Sequence, residues 1–197
     1  MPESLSDAAL AQLFHAARTR NAWTDRSVSE RQIRALYDLV RVGPTSANTC
    51  PARFVWVRSV EGKARLAALA HPANQIKIQR APVTAIVGYD LDFAKNLYRL
   101  FPSRAEALET SFRDPEFAAI TAFRNGTLQG GYLILAARAL GLDCGPMSGF
   151  DNTVVDAAFF TGTRIRSNFL CSLGHGSEQN LYPRNPRLEF AEACAFA

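Results

Sequence analysis

Apolar positions along the chain switch between helical spacing and short continuous runs, and the switching predicts the elements. Behind Ser6, the residues Leu10, Leu13 and Phe14 recur at helical spacing, which predicts a first helix to about Arg20. Ser29-Glu30-Arg31-Gln32 is a capping box, in which the Ser hydroxyl and the Gln amide each satisfy an exposed backbone N–H. Ile33, Leu36, Tyr37 and Val40 then form one apolar helix face, until Gly43-Pro44 stops it. Phe54-Val55-Trp56-Val57 has the aromatic and β-branched content of a buried strand. Residues 83–89 form a near-continuous apolar run, as in a sheet covered on both faces. Between these strands a short helix over 62–69 is interrupted by His71-Pro72.

Residues 91–114 are helical in parts but broken by Pro102, and Tyr98, Phe101 and Phe112 mark a candidate mobile flap. The longest helical pattern spans 115–140 and ends at Gly141. Its glycines at 126, 130 and 131 would each cost about 1 kcal/mol against Ala. Their presence predicts close approach by another backbone, from a second helix, or by a bound ring. Residues 144–149 read as a turn, Asp151 as the cap of a helix to about Phe160, and 168–173 as a further strand. The tail returns through residues 187–190 into a final short helix. The expectation is a mixed α/β fold of four or five strands in a single domain, residues 1–197, with no repeat and no linker.

Composition narrows the function. With 48% hydrophobic residues and 22 Lys+Arg against 18 Asp+Glu, a net charge of +4, the chain is not disordered. Its basic residues are scattered, with no Lys/Arg-rich tract of the kind that suggests a nucleic-acid surface. Scattered arginine fits a small anionic ligand, because the guanidinium fork matches phosphate and carboxylate. Cys50, Cys144, Cys171 and Cys194 lie more than 20 residues apart, without zinc-ligand spacing, so no metal site is expected. The start of the chain has no secretory pattern, and the best apolar run, residues 132–142, is broken by Arg138 and too short to cross a bilayer. A cytoplasmic protein with no membrane partner is the expectation.

The chain is short of reactive groups of its own. His15 lies among apolar helix residues, His71 precedes a proline, and His175 sits in a Gly-His-Gly turn, none beside a marked nucleophile. Neither GxGxxG nor GxxxxGK[ST] is present. A cofactor that brings the chemistry is favoured.

Gly43-Pro44-Thr45-Ser46-Ala47-Asn48, Asn74-x-x-Lys77, Gly145-Pro146-Met147-Ser148-Gly149-Phe150-Asp151 and Pro186-Arg187-Leu188 stand in a telling order and spacing. Together they resemble the nitroreductase family of FMN-dependent oxidoreductases over nearly the whole chain. The resemblance is strongest to the compact subgroup that includes malonic-semialdehyde reductase, through Ala17-Arg18-Thr19, Pro51-Ala52-Arg53 and Ala122-Phe123-Arg124-Asn125.

The resemblance implies an α+β fold, a mostly antiparallel central sheet flanked by helices, in an intertwined homodimer built around the long helix. Gly126, Gly130 and Ala137 would suit close helix packing there. It implies that Arg18, Thr19 and Arg187 touch the flavin phosphate and ribityl chain, and that Asn74 and Lys77 face the pyrimidine edge. It further implies that Pro146, Met147, Ser148 and Gly149 turn backbone amides toward flavin N5 and O4. Pro44, Thr45, Ser46 and Asn48 would reach the flavin from the partner subunit. Read from the residues alone, Arg18 is equally a solvated helix-end cation, residues 44–48 a helix-terminating turn, and Asn74 and Lys77 a solvated pair.

Two positions that are basic in the family are Asn21 and Asn185 here, which predicts weaker FMN retention unless Arg20 or Arg184 substitutes. The implied reaction is ping-pong: NADH or NADPH passes a hydride to flavin N5 and leaves, and a small substrate then takes it, with no catalytic side chain required. The subgroup points to malonic semialdehyde, reduced to 3-hydroxypropionate, with Arg124 or Arg113 over its carboxylate. The alternatives are a broad nitro or quinone reductase and a non-catalytic flavin-binding protein.

Overall fold

The computed structural model describes residues 3–197; residues 1 and 2 of the expected domain lie outside the described residues. The chain opens with α1 (Asp7–Leu10), capped by Ser6 and continued by a π-helical turn (Ala11–His15), so the first helix stops short of Arg20. Helix α2 (Glu30–Val40) begins in the expected capping box and buries Ile33, Leu36 and Val40, while Tyr37 stays exposed. Strand β1 (Ala52–Val57), α3 (Val60–Ala68), α4 (Pro72–Arg80) and β2 (Val83–Asp90) follow. His71-Pro72 does not simply interrupt a helix. It starts α4, because Pro72 needs no N–H partner at a first helical position and the His71 side chain accepts from Ala73 N–H.

The 91–114 segment contains two 3-10 turns and the short helices α5 (Leu97–Leu100) and α6 (Ala105–Ser111). Tyr98 is exposed, but Phe93 and Leu97 are fully buried and pin the segment to the body. Helix α7 (Pro115–Ala139) is capped by Asp114, and β3 (Asp143–Met147), α8 (Asn152–Phe159), β4 (Ile165–Gly174) and α9 (Phe190–Ala193) complete the chain.

The four strands form one sheet in the order β1-β2-β4-β3, every pair antiparallel. Side-chain alternation gives each central strand two buried faces. On one face Val83, Ala85 and Val87 of β2 and Cys171 and Leu173 of β4 pack with Leu36, Val40, Leu133 and Ala137 under α2 and α7. On the other, Ile86 and Leu170 pack with Leu66, Ile78 and Val155 under α3, α4 and α8. The near-continuous apolar run of β2 follows from these two covers.

Two further expectations are corrected. Residues 144–149 are not a turn: β3 pairs with β4 from Asp143↔Gly174 to Met147↔Leu170, and only Ser148 and Gly149 lie beyond it. The small residues of α7 do not make a helix–helix face either. A Cβ on Gly126 would meet Tyr89 Cβ at 2.7 Å and one on Gly130 would meet the Phe169 ring at 2.5 Å, so both let α7 sit down on the sheet. Ala137 lies in the same core, whereas Phe117, Ile120, Leu128 and Gly131 line the opposite, exposed side of α7.

Candidate functional site

The edge strand β3 organises the candidate site. The arm after the π-turn lies along it: Thr19 bridges to Cys144, and Arg20 N–H donates to the Cys144 carbonyl at 2.9 Å. The approach is so close that a Cβ on Gly145 would stand 2.5 Å from the Arg20 carbonyl oxygen. Trp23 bridges to Gly176, which places the arm between β3 and the start of the C-terminal tail.

The tail then follows the arm through polar contacts. Arg20 bonds Glu178 at 2.8 Å and the Ser177 carbonyl at 3.2 Å, and pairs with Asp143 at 3.4 Å. Burial alone would lower the Arg20 pKa, but the hydrogen bond to Glu178 and the charge of Asp143 raise it above its ordinary value. Arg18 donates to the Tyr182 carbonyl, and Arg184 to the His15 and Ala17 carbonyls, both at 2.8 Å.

These contacts enclose a cavity of about 370 Å3 lined by Arg18, Thr19, Asn21, Arg138, Arg184 and Arg187, among others, with no carboxylate in its lining. Four guanidinium groups around one small volume make an anion site, since each presents N–H donors in a fixed fork. Arg18, Thr19 and Arg187 are thus brought together, with Arg184 beside them. Arg20 is not available to the cavity, because its guanidinium is spent on Asp143, Glu178 and Ser177. Arg138 escaped sequence reasoning. The only available signal was a cation interrupting the apolar stretch 132–142, and its bond to the Leu13 carbonyl at 3.0 Å shows what holds it.

At the far end of β3, Ser148 is exposed and Gly149 packs against α4. His71 N–H donates to the Gly149 carbonyl at 2.9 Å, and Asn74 Nδ2 donates to the same oxygen at 3.1 Å. A Cβ on Gly149 would meet Asn74 Nδ2 at 2.8 Å, so glycine is needed for this contact. Lys77 lies one turn further along α4, half-buried, and among the described residues it has no side-chain hydrogen bond or ion pair. Pro146 is exposed on β3, but the Met147 side chain is buried in the core beside Leu170, so only its backbone could face a ligand. From Cys144 to Ser148 is about 13 Å of extended strand. A ligand with a phosphate at one end and a polar ring at the other, joined by a short polyol chain, fits that spacing.

Residues 44–48 lie elsewhere. Ser46 N–H donates to Asn125 Oδ1 at 2.7 Å, Tyr132 Oη to the Pro44 carbonyl at 2.9 Å, and Asn48 Nδ2 to the Leu100 carbonyl at 2.8 Å. Within one chain Pro44, Thr45, Ser46 and Asn48 share no cavity with Arg18 or Ser148. Their loop is strained: Ala47, Asn48 and Cys50 all have positive φ, at 49°, 50° and 41°. Such residues persist only when their surroundings over-determine them, and here α7 and the Thr45 hydroxyl, which accepts from Cys50 N–H at 3.1 Å, do so. Arg113 and Arg124 are exposed, the latter on the outer face of α7, and neither reaches the arginine cavity. Among the described residues, no cluster of His, Cys, Asp and Glu is arranged to hold a metal. No helix there is long and apolar enough to cross a membrane.

A four-stranded antiparallel sheet between helical layers carries an arginine-lined cavity at one end of an edge strand and an amide-rich corner at the other, with donors suited to a phosphate at the first and to a polar ring at the second. The chain belongs to the nitroreductase family, whose model matches residues 2–175. It is 61% identical over 190 residues to a Caulobacter sp. (strain K31) protein, covering 96% of this chain and 97% of the relative. It is 57% identical over 191 residues to one from Ralstonia pickettii, covering 95% and 97%. Both relatives bear the provisional name NADH dehydrogenase/NAD(P)H nitroreductase. The fold is that of a provisionally named nitroreductase from Exiguobacterium sibiricum, solved in complex with FMN, with a TM-score of 0.87, 21% identity and 100% coverage of both chains.

Proposed function

We propose that the chain acts as a homodimer holding FMN along β3, and that it uses NADH or NADPH to reduce a small substrate, with malonic semialdehyde as the favoured one. The enzyme class follows from the family: a flavin-dependent NAD(P)H oxidoreductase. The observation that carries the reading is the four-arginine cavity without a carboxylate, set one strand length from the Ser148-Gly149 corner.

The residues fit the cofactor. Arg18, Thr19, Arg184 and Arg187, with Arg138 behind them, would hold the phosphate. Four arginines offset the loss of basic character at Asn21 and Asn185, which favours firmer FMN retention than those two positions alone imply. Gly149 and Ser148 would present backbone amides to the ring, with Asn74 beside them. Lys77, a cation without a carboxylate partner, would balance negative charge on the pyrimidine edge. FMN, when bound, supplies hydride acceptance and donation at N5. The chain's task is to hold donor and substrate in turn against the ring, which is a matter of positioning.

Dimerisation is supported by three features: the exposed apolar side of α7, the exposed tail residues Leu188, Phe190 and Phe196, and the strained loop with no ligand cavity in common with the arginines of its own chain. In a dimer, Pro44, Thr45, Ser46 and Asn48 would complete the partner's site. Cys144 and Cys171 are buried free thiols in one core cluster, which suits a reducing cytoplasm.

Purified protein should show an oxidised-flavin spectrum that NADH or NADPH bleaches; a colourless protein that cannot be reconstituted with FMN would overturn the reading. For the substrate, the subgroup resemblance favours a carboxylate-bearing aldehyde, which would need Arg113 or Arg124 to reach the flavin in the dimer, while the relatives' names favour a nitro compound. A kcat/KM favouring a nitroaromatic over malonic semialdehyde by tenfold or more decides for the second.

A further inference from the structure

Among the described residues seven cations pair with a carboxylate: Arg20 with Asp143 and Glu178, Arg34 with Glu30, Arg41 with Asp38, Arg53 with Asp90, Arg164 and Lys95 with Asp92, and Arg166 with Asp156. Two concave surfaces each gather four cations that lie outside these pairs. One is the arginine cavity of the flavin site. The other is a groove of about 510 Å3 where the turn at residues 24–28 meets the start of α3 and the end of α4. Arg26, Arg58, Lys63 and Arg80 line it, against one carboxylate, Asp25.

None of these four cations is in an ion pair among the described residues. Arg58 donates to the Val28 carbonyl at 3.3 Å and Lys63 to the Ala81 carbonyl at 3.1 Å. Both bonds aim the side chains without neutralising them. Arg26 and Arg80 make no side-chain hydrogen bond among the described residues. The charge of these cations is felt nearby: Arg58 adds to the lowering of the Glu30 pKa, which Arg34 dominates, and burial, then the charge of Arg26, lowers the pKa of His175, with Asp143 opposing. The groove adjoins the flavin corner, since Arg80 follows Lys77 by one turn on α4.

We propose that this groove is a second anion site, which takes a phosphoryl or diphosphate group through Arg26 and Arg80, with Arg58 and Lys63 as its floor. A phosphate has two possible sources, the adenosine end of NADPH or a free anion. The site does not depend on the FMN reading, because it shares no residue with the flavin cavity.

The test uses the protein saturated with FMN, so that the first cavity is filled, at about 0.01 M ionic strength, where screening is weak. Inorganic pyrophosphate is titrated by calorimetry, and the His175 imidazole resonance is followed in parallel, one of only three in the chain. Binding is expected in the parent protein, with an upward shift of the His175 pKa as the anion offsets Arg26. In Arg26→Ala/Arg80→Ala binding should weaken at least tenfold. An Arg31→Ala/Arg104→Ala control, which removes the same charge elsewhere, should bind as the parent does.

A matching rise in the KM for NADPH, with that for NADH unchanged, identifies the source as the dinucleotide's 2′-phosphate. Unchanged KM values for both, with pyrophosphate binding lost, identify a free-anion site. Equal pyrophosphate binding by the parent and the Arg26→Ala/Arg80→Ala variant overturns the proposal. Failure of the FMN reading would show separately, as a protein that takes up no flavin.

Discussion

Gly145→Ala isolates the contact that sets the arm on β3. The new Cβ would lie 2.5 Å from the Arg20 carbonyl oxygen, a backbone atom that no rotamer change can move. To reach ordinary contact the arm must retreat by about 0.9 Å, which stretches the Arg20 N–H to Cys144 bond to about 3.8 Å, outside hydrogen-bond range. Loss of that bond costs about 1 kcal/mol, and overpacking adds about 1–3 kcal/mol. In a chain of this size each kcal/mol lowers Tm by about 2–4 °C. Arg18 and Thr19 ride on the displaced arm, so the phosphate loses at least one charge-assisted hydrogen bond, about 1.5–3 kcal/mol, and FMN should bind about tenfold to a hundredfold more weakly. Titration of the apoprotein with FMN, followed by quenching of flavin fluorescence, together with a thermal melt, measures both effects. A Gly145→Ala protein with the parent's FMN affinity would refute the placement of the phosphate beside the arm.

Arg20→Ala should lower stability by about 1–3 kcal/mol, because it leaves half-buried Asp143 without its partner and frees the tail at Glu178; urea unfolding reads it, and FMN binding should weaken as the tail loosens. Met147→Ala removes a core side chain beside Leu170 and should destabilise by about 2–5 kcal/mol in the same measurement, with little change in turnover per bound flavin. Lys77→Gln should make the flavin midpoint potential more negative by about 30 mV or more, the equivalent of about 1.4 kcal/mol for two electrons, read by dye equilibration; an unchanged potential would remove Lys77 from the pyrimidine edge. His175 is harder to protonate folded than unfolded. The unfolded chain therefore binds more protons as pH falls through about 6.5, and stability should decline from there until the lowered folded pKa is passed. Urea midpoints at pH 7.5 and 5.5 check the sign, and Arg26→Ala should reduce the decline.

Where local chemistry decides, the chain could be read directly. The capping box at Ser29, the cap at Asp151, the two-sided burial of β2 and the extent of α7 all follow from nearest-neighbour patterns, and the structure reproduces them. The motif residues Arg18, Asn74, Gly149 and Arg187 stand in the family's order along the chain, and the fold sets Arg18 with Arg187 in one cavity and Asn74 on the Gly149 carbonyl. What each glycine of α7 approaches was not legible, since a glycine reports closeness without naming its neighbour; the sheet claimed Gly126 and Gly130, and Gly131 stayed open.

The same limit hid β3. Pro146 and two glycines nearby read as a turn, but on an edge strand proline gives up no ladder bond that matters, and Gly145 is there for the arm. Arg20 and Arg184 looked interchangeable in sequence. Tertiary structure separated them, because Asp143 and Glu178 converge on Arg20 from distant segments while Arg184 faces the cavity. By itself, then, the sequence determined the longer helices and the strands β1, β2 and β4, which depend on neighbours a few residues apart, while the order of its motifs along the whole chain pointed to the kind of ligand. Which arginines stay free to meet an anion was decided only by the fold, because charge is neutralised by whatever lies nearest in space.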